Sequence, residues 1–277
     1  MITSPQNPKL KLVRALMGRA KERREAGAFV AEGVRLIEDA VNANWPFRFV
    51  LFDETLSERG TLNVKRLTSL GVECDEIPSN LMKSLSDTET SQGTLAVLNL
   101  SPIPYPASPS FLLIPDQIRD PGNLGTLIRS ADAAGVDAVL IPPETTDPFA
   151  PKVVRAGMGA HFRLPIISMG WEEIGRVSES ANQRVSESTS QRVSESASRR
   201  VMVADMDGES CWETDLRQPL MLIVGGEAEG ASEAARKLAS QRIKIPMAGK
   251  TESLNAAVAG SVLMFEVMRQ RSVISFQ

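Results

Sequence analysis

The chain has 277 residues, 42% of them hydrophobic and 23% charged, with a net charge of −3, one histidine and two cysteines. At about 100–200 residues per domain this length points to two domains, and the apolar content suits packed cores rather than a disordered chain. Cys74 and Cys211 are far apart and form no CxxC pair, and His161 is the sole histidine. That inventory excludes a zinc cluster, a disulfide framework and a thioredoxin-type motif, and it leaves any Ser-His-Asp mechanism resting on His161 alone. No metal is expected, and a reduced cytoplasmic setting is. The apolar runs fall far short of the roughly 18 residues of a membrane span, and Met1-Ile2-Thr3-Ser4-Pro5 lacks the apolar region of a signal peptide.

Charge is unevenly spread. Residues 1–35 hold eight Lys and Arg against three Glu, so the remainder of the chain carries −8. Asn7 to Glu25 reads as one helix with an apolar stripe of Leu10, Val13, Leu16 and Met17. Its basic residues, Lys9, Lys11, Lys21, Arg23 and Arg24, form either a solvated face or a patch that meets nucleic-acid phosphates. A helix (Val34–Val41), a strand (Arg48–Phe52), a helix near Val64–Leu70, a short strand around Val72–Ile77 and a strand over Thr94–Leu100 follow. Together they make a small α/β domain over residues 1–100. Ser101 to Pro109 contains four prolines and reads as a stiff linker.

Beyond it, Phe111–Ile114, Ala138–Ile141 and Leu220–Val224 are short continuous apolar runs, the pattern of parallel strands covered on both faces. Helical patterns lie at Leu124–Ala134, Ser232–Ala239 and from about Ser253 to Arg271. Residues 110–277 therefore read as a second α/β domain with a mostly parallel sheet. One stretch departs from this. Residues 176–199 are three imperfect octads, RVSESANQ, RVSESTSQ and RVSESASR. Eight residues advance a helix by about 800°, so successive valines drift by about 80° and make no stable stripe. The stretch reads as an inserted repeat without a catalytic part.

Three loops in the second domain carry chemistry-bearing residues. The first, Asp116 to Gly125, follows a strand and opens a helix; Asn123 is a candidate N-cap and Gly135 a candidate helix stop. Gly125, Arg129 and Asp132 share one face of that helix, with Gly125 expected to clear the surface before Arg129. The second, Gly225-Gly226-Glu227-Ala228-Glu229-Gly230, is glycine-rich, but Glu227 stands where a dinucleotide fingerprint needs glycine and would repel a pyrophosphate. Close backbone approach to a ligand suits it better. The third runs from Ile245 to Asn255. Its Gly249-Lys250-Thr251 is no phosphate loop, because Lys244 occupies the position of the required upstream glycine. Ser253 and Asn255 remain, as helix caps or as site residues.

Taken together the three loops resemble the SpoU (TrmH-type) family of RNA ribose 2′-O-methyltransferases, in the SPOUT superfamily. Asn123, Gly125 and Arg129 match its first motif, Gly225, Glu227 and Gly230 its second, and Ile245-Pro246-Met247 with Ser253-Leu254-Asn255 its third. Lys152–Pro165 is similar to the family as well. So is the N-terminal region, through Ser4-Pro5-Gln6-Asn7-Pro8, Glu32-Gly33 and Leu85-Ser86-Asp87-Thr88-Glu89-Thr90. Ala256-Ala257 and Ala231 are mild departures from its pattern.

The resemblance implies a C-terminal α/β domain with a trefoil knot, an N-terminal RNA-binding domain, a homodimer, and S-adenosylmethionine bound in the knot near the subunit interface. Carried over by position, Gly225, Gly226, Ile245, Met247 and Leu254 would contact the cofactor, and Asn123, Arg129, Glu227, Ser253 and Asn255 would form the catalytic set. Methyl transfer from a sulfonium is an in-line displacement that needs positioning and removal of a proton, with no metal. The implied activity is methylation of a ribose 2′-hydroxyl in structured RNA, ribosomal RNA before transfer RNA. The alternatives are a base methyltransferase on the same scaffold and a non-catalytic RNA-binding protein.

Overall fold

The computed structural model describes residues 1–100, 103–179, 199–227, 229–251 and 253–272. Most of the octad stretch, and Ser101 and Pro102 of the Pro-rich stretch, lie outside the described residues. The elements are, in order, α1 (Pro8–Gly18), α2 (Ala20–Ala26), β1 (Ala28–Glu32), α3 (Val34–Asn42), β2 (Phe47–Phe52), α4 (Glu58–Ser69), β3 (Glu73–Glu76), α5 (Ser79–Leu85) and β4 (Thr94–Asn99). Then come β5 (Phe111–Asp116), α6 (Pro121–Ala133), β6 (Ala138–Ile141), α7 (Pro151–Ala156), β7 (Ile166–Ser168) and α8 (Trp171–Glu179). The last are β8 (Arg200–Ser210), β9 (Leu220–Gly225), α9 (Glu233–Leu238), β10 (Gln241–Lys244) and α10 (Ala256–Ser272).

The chain forms two compact units, and the first is not contiguous: it comprises Met1–Pro102 and Asp147–Arg163. Its four-stranded sheet has the order β1-β4-β2-β3, antiparallel except for the β2–β3 pair. Leu10, Val13 and Leu16 of α1 pack with Val30, Leu51, Leu95, Val97 and Met82 in one core. A second cluster gathers Phe29 with Phe149 at 5.1 Å between ring centroids and Trp45 with Phe162 at 5.3 Å.

The single N-terminal helix expected from the sequence is two. Asn7 caps α1 by accepting from Lys9 N at 2.8 Å, with Pro8 in the first turn. The chain then turns extended at Arg19 before α2, which stops at Gly27 in the left-handed region. Arg23 causes the break to hold. Its buried guanidinium donates to the Leu16 carbonyl at 2.6 Å, an acceptor orphaned by the end of α1, and pairs with Asp147 at 2.6 Å.

The second unit holds a six-stranded, all-parallel sheet of order β10-β8-β9-β5-β6-β7. From β5 the chain steps outward to β6 and β7, then crosses to β8 and returns to β9 beside β5. The topology thus reverses between β5 and β9, the place where open α/β sheets bind ligands at their carboxyl ends. One face of the sheet packs Ile114, Leu140, Val203 and Ile223 against Ile174 and Ala235 of α8 and α9. Over the other face α6 and α10 meet closely, since a Cβ on Gly260 would lie 2.4 Å from Leu127 Cδ2.

Strands β8 and β10 escape the sequence pattern because their outer halves are polar. Their register jumps: Arg242 pairs with Val203 and Ile243 with Glu209, so 204–208 has no partner in β10. Gly208 sits at this irregularity, where a Cβ would lie 2.6 Å from the Arg242 carbonyl carbon.

Removing the Arg23 guanidinium strips Asp147 Oδ2 of its ion pair and the Leu16 carbonyl of its donor. Arg23→Ala is expected to cost about 3–5 kcal/mol in urea unfolding, while Arg24→Ala on the exposed side stays within about 0.5 kcal/mol. His161 supplies a pH dependence. It is buried, Nε2 meets the Pro148 carbonyl at 2.8 Å, and burial lowers its pKa from 6.5 to about 4. Between those values the unfolded chain binds a proton that the folded chain refuses. Stability therefore falls as pH drops from 6.5 toward 4, by about 3 kcal/mol from this residue. Denaturation at pH 7 and pH 4.5 should show a smaller difference in His161→Gln than in the wild type.

Candidate active site

The carboxyl ends of β5, β9 and β10 deliver the three loops to one place. Asp116, at the end of β5, is fully buried; its Oδ2 accepts from Ser232 N at 2.6 Å and so ties the β5 loop to the β9 loop. Desolvation holds its carboxyl above the usual range. Gln117 follows in the left-handed region, φ +53. Asp120, not Asn123, caps α6, accepting from Asn123 N at 2.8 Å with Pro121 in the first turn. The cap falls there because Pro121 has no N–H to donate and its fixed φ suits the first helical position. Asn123 is thereby left one turn inside the helix with its amide free for other work.

That amide faces the second loop. Asn123 Nδ2 donates to Glu227 Oε1 at 2.7 Å. Asn255 caps α10, its Oδ1 accepting from Ala257 N at 3.0 Å and Val258 N at 3.2 Å. With its oxygen so engaged, its Nδ2 donates to Glu227 Oε1 at 2.5 Å and to Asn123 Oδ1 at 3.1 Å. The final helix therefore starts at Ala256 rather than near Ser253. Three residues from three loops, far apart in sequence, form one hydrogen-bonded cluster.

The glycines explain how Glu227 is presented. Gly226 and Gly230 pair with each other, Gly230 N donating to the Gly226 carbonyl at 3.1 Å, which brings the two ends of the loop together. A Cβ on Gly225 would lie 2.3 Å from Ala231 N, and one on Gly226 would lie 2.6 Å from the Gln117 carbonyl. The close approach expected at this loop is thus first of all backbone against backbone.

Beside the cluster opens a cavity of about 480 Å³. Gly225, Gly226, Glu227, Ile245, Met247, Ser253, Leu254 and Asn255 all line it, so every residue expected to hold a cofactor is brought together. Its far wall, Ala204, Asp205 and Met206, comes from the unpaired stretch of β8 and was not legible in the sequence. The lining joins apolar surface from Val224, Ile245, Leu254 and Leu263 to the carboxylates of Asp205 and Glu227, with Lys244 at the side. A ligand with a flat apolar part and a positive charge suits it.

One expectation needs correction. Gly125 is buried within α6 and clears no surface for a substrate. Arg129 does not line the cavity and, among the described residues, makes no ion pair; six residues beyond Asn123, it lies about 120° around the helix and about 9 Å along it. It is exposed.

The basic N-terminal residues divide. Lys9 pairs with Glu73 and Asp75, both at 2.5 Å, and Arg23 is buried as described. Neither is available to a phosphate, because each already satisfies internal acceptors. Lys21 makes an exposed pair with Glu25, and Lys11 and Arg24 are exposed. The Glu32-Gly33 and Leu85–Thr90 motifs meet in space: the buried Glu32 carboxylate accepts from Ser86 Oγ, Thr88 Oγ1 and Asp87 N, which orders that loop. Among the described residues no cluster of His, Cys, Asp and Glu could hold a metal ion. No helix there is long and apolar enough to cross a membrane.

Comparison with known proteins agrees with this geometry. Residues 110–265 match the SpoU rRNA Methylase family, and residues 7–96 match the MRM3-like substrate binding domain. The chain is 32% identical to the 23S rRNA (uridine(2479)-2′-O)-methyltransferase of Streptomyces viridochromogenes, over 98% of this chain and 92% of that one. It is 30% identical to the 23S rRNA (guanosine(2553)-2′-O)-methyltransferase RlmP of Bacillus subtilis, over 96% and 98%. Its fold matches the crystal structure of the SpoU methyltransferase AviRb from Streptomyces viridochromogenes in complex with AdoMet, with a TM-score of 0.81 and 29% identity, covering 96% of this chain and 100% of that one. The loops that meet at Glu227 and the family match over residues 110–265, which hold all six strands of the parallel sheet, lead to one conclusion: this chain belongs to the SpoU rRNA methylase family.

Proposed function

We propose that the chain transfers a methyl group from S-adenosylmethionine to a ribose 2′-hydroxyl of ribosomal RNA and works as a homodimer. The observation that carries this reading is the Asn123–Glu227–Asn255 cluster at the mouth of the cavity. The cavity fits the cofactor by its chemistry: Ile245, Leu254 and Leu263 offer apolar walls for a purine, and Asp205 and Glu227 offer negative charge to ammonium and sulfonium groups. When bound, S-adenosylmethionine supplies an electrophilic methyl group that needs no metal. The named relatives methylate 2′-oxygens of 23S rRNA.

The protein's own part is positioning. Two amides hold the Glu227 carboxylate in one orientation, and Ser253 also lines the cavity, with a hydroxyl whose chemistry suits a hydrogen bond to a ribose. Arg129 is a cation under ordinary conditions and hence a poor base; its chemistry is to bind a phosphate in bidentate fashion and to stabilise a forming alkoxide. In one copy it stands away from Glu227, so in this reading a second copy supplies it. Helix α10 supports that arrangement, since Val258, Phe265 and Met268 at one helical face are exposed. A helix apolar on several sides calls for a further packing partner.

Incubation with labelled cofactor and unmodified ribosomal RNA should yield alkali-resistant methylated dinucleotides, because a 2′-O-methyl group blocks cleavage; alkali-labile product would mean base methylation. Glu227→Gln and Asn123→Ala are each expected to lower kcat by about 100-fold; cofactor affinity, read by calorimetry, falls in Glu227→Gln, which lines the cavity, and changes little in Asn123→Ala, which does not. Sharing of sites between copies has its own readout. Arg129→Ala and Glu227→Gln proteins, each inactive alone, should recover about one quarter of wild-type activity when unfolded together and refolded as mixed dimers. No recovery would place Arg129 and Glu227 on the same copy.

A further inference from the structure

A second crevice opens on the other side of Glu227, at the reversal point between β5 and β9. It has a volume of about 250 Å³ and shares Gly226, Glu227, Gly230 and Ala256 with the larger cavity. Its remaining walls come from the loop after β5, Gln117 to Asp120, and from Asn123 and Glu229. It carries three carboxylates, Asp120, Glu227 and Glu229, and one cation, Arg119; the Asp120 carboxylate already accepts from Asn123 N as the cap of α6. The cluster described above absorbs Glu227 but gives Arg119 no part. Arg119 is exposed and makes no ion pair among the described residues.

We propose that this crevice seats the acceptor nucleotide and that Arg119 binds a phosphate flanking its ribose. The inference rests on the functional reading above and adds a substrate-positioning residue to it. A ribose whose 2′-oxygen reaches Glu227 from this side has its 3′-phosphate on the neighbouring carbon, so the phosphate must enter the same crevice. Three carboxylates there repel it. Arg119 is the one group in the lining that offsets them, and its planar fork suits a phosphate.

The backbone around Arg119 is already fixed. Ile118 is buried and its carbonyl accepts from Thr146 N at 2.9 Å, Gln117 Nε2 donates to Glu144 at 2.9 Å, and Asp120 caps α6. The loop backbone is thus ordered before substrate binds, and only the Arg119 side chain remains to be fixed. Arg119 acts by contact with the substrate and has no part in holding the cofactor, whose cavity it does not line.

The test is RNA affinity at saturating S-adenosylmethionine, read by fluorescence anisotropy on an unmodified ribosomal RNA transcript across a salt series. Arg119→Ala is expected to weaken binding about 10-fold and to reduce the slope of log affinity against log salt by about 1, as loss of one phosphate contact requires. Arg119→Lys should keep the slope, and cofactor affinity should stay at the wild-type value in both. An unchanged salt slope in Arg119→Ala, or a loss of cofactor affinity, would overturn the inference. Alkali-resistant product together with Arg119-independent RNA affinity defeats this inference alone. Arg119-dependent RNA affinity with only alkali-labile product supports the phosphate contact and defeats the ribose reading alone.

Discussion

One side chain joins the folding of this protein to its chemistry. The Asn255 amide oxygen caps α10, and because an amide has one oxygen and one nitrogen, that capping directs the nitrogen at Glu227. The start of α10 and the placement of the site are thus a single event. Glu227 receives its second donor from Asn123, which is free only because Asp120 takes over the capping of α6. Helix ends, normally a liability of unpaired backbone groups, here supply the donors and acceptors that fix a carboxylate.

The parallel sheet determines where this happens. All six strands send their carboxyl ends to one edge, and the reversal of topology between β5 and β9 leaves a gap there. The gap is kept narrow by backbone crossing backbone at Gly225 and Gly226 and by the Asp116 carboxylate reaching Ser232 N. Cavity and crevice lie on either side of Glu227, so a donor and an acceptor molecule can approach one carboxylate from two directions.

Much of this was legible in the sequence because the relevant signals are local. Continuous apolar runs mark β5, β6 and β9, and their ends mark the loops that carry Asn123 and Glu227. The residues now found around the large cavity, Gly225, Ile245, Met247, Ser253 and Leu254, were picked out by motif. What escaped was non-local or polar. β10 has a single buried apolar residue, Ile243, and β8 turns polar after Val203, so neither shows a strand pattern although both border the cavity. The basic N-terminus misled in another way. Counting charge cannot tell that Lys9 faces Glu73 and Asp75, or that Arg23 is buried against the end of α1. Helical spacing names the face on which Gly125 lies and says nothing of what covers it.

The discontinuity of the first unit bears on how this architecture can be divided. Asp147 neutralises the buried Arg23, and Phe149 and Phe162 cover Phe29 and Trp45, yet all three belong to a segment encoded within the span that matches the methylase family. A fragment severed at the Pro-rich stretch would carry an uncompensated interior cation and a bared aromatic surface, and it should aggregate rather than fold as an autonomous module. Exchange of substrate-binding domains between relatives of this kind must therefore transplant two separate pieces of chain, a constraint that couples the history of the first unit to that of the sheet beside it in sequence.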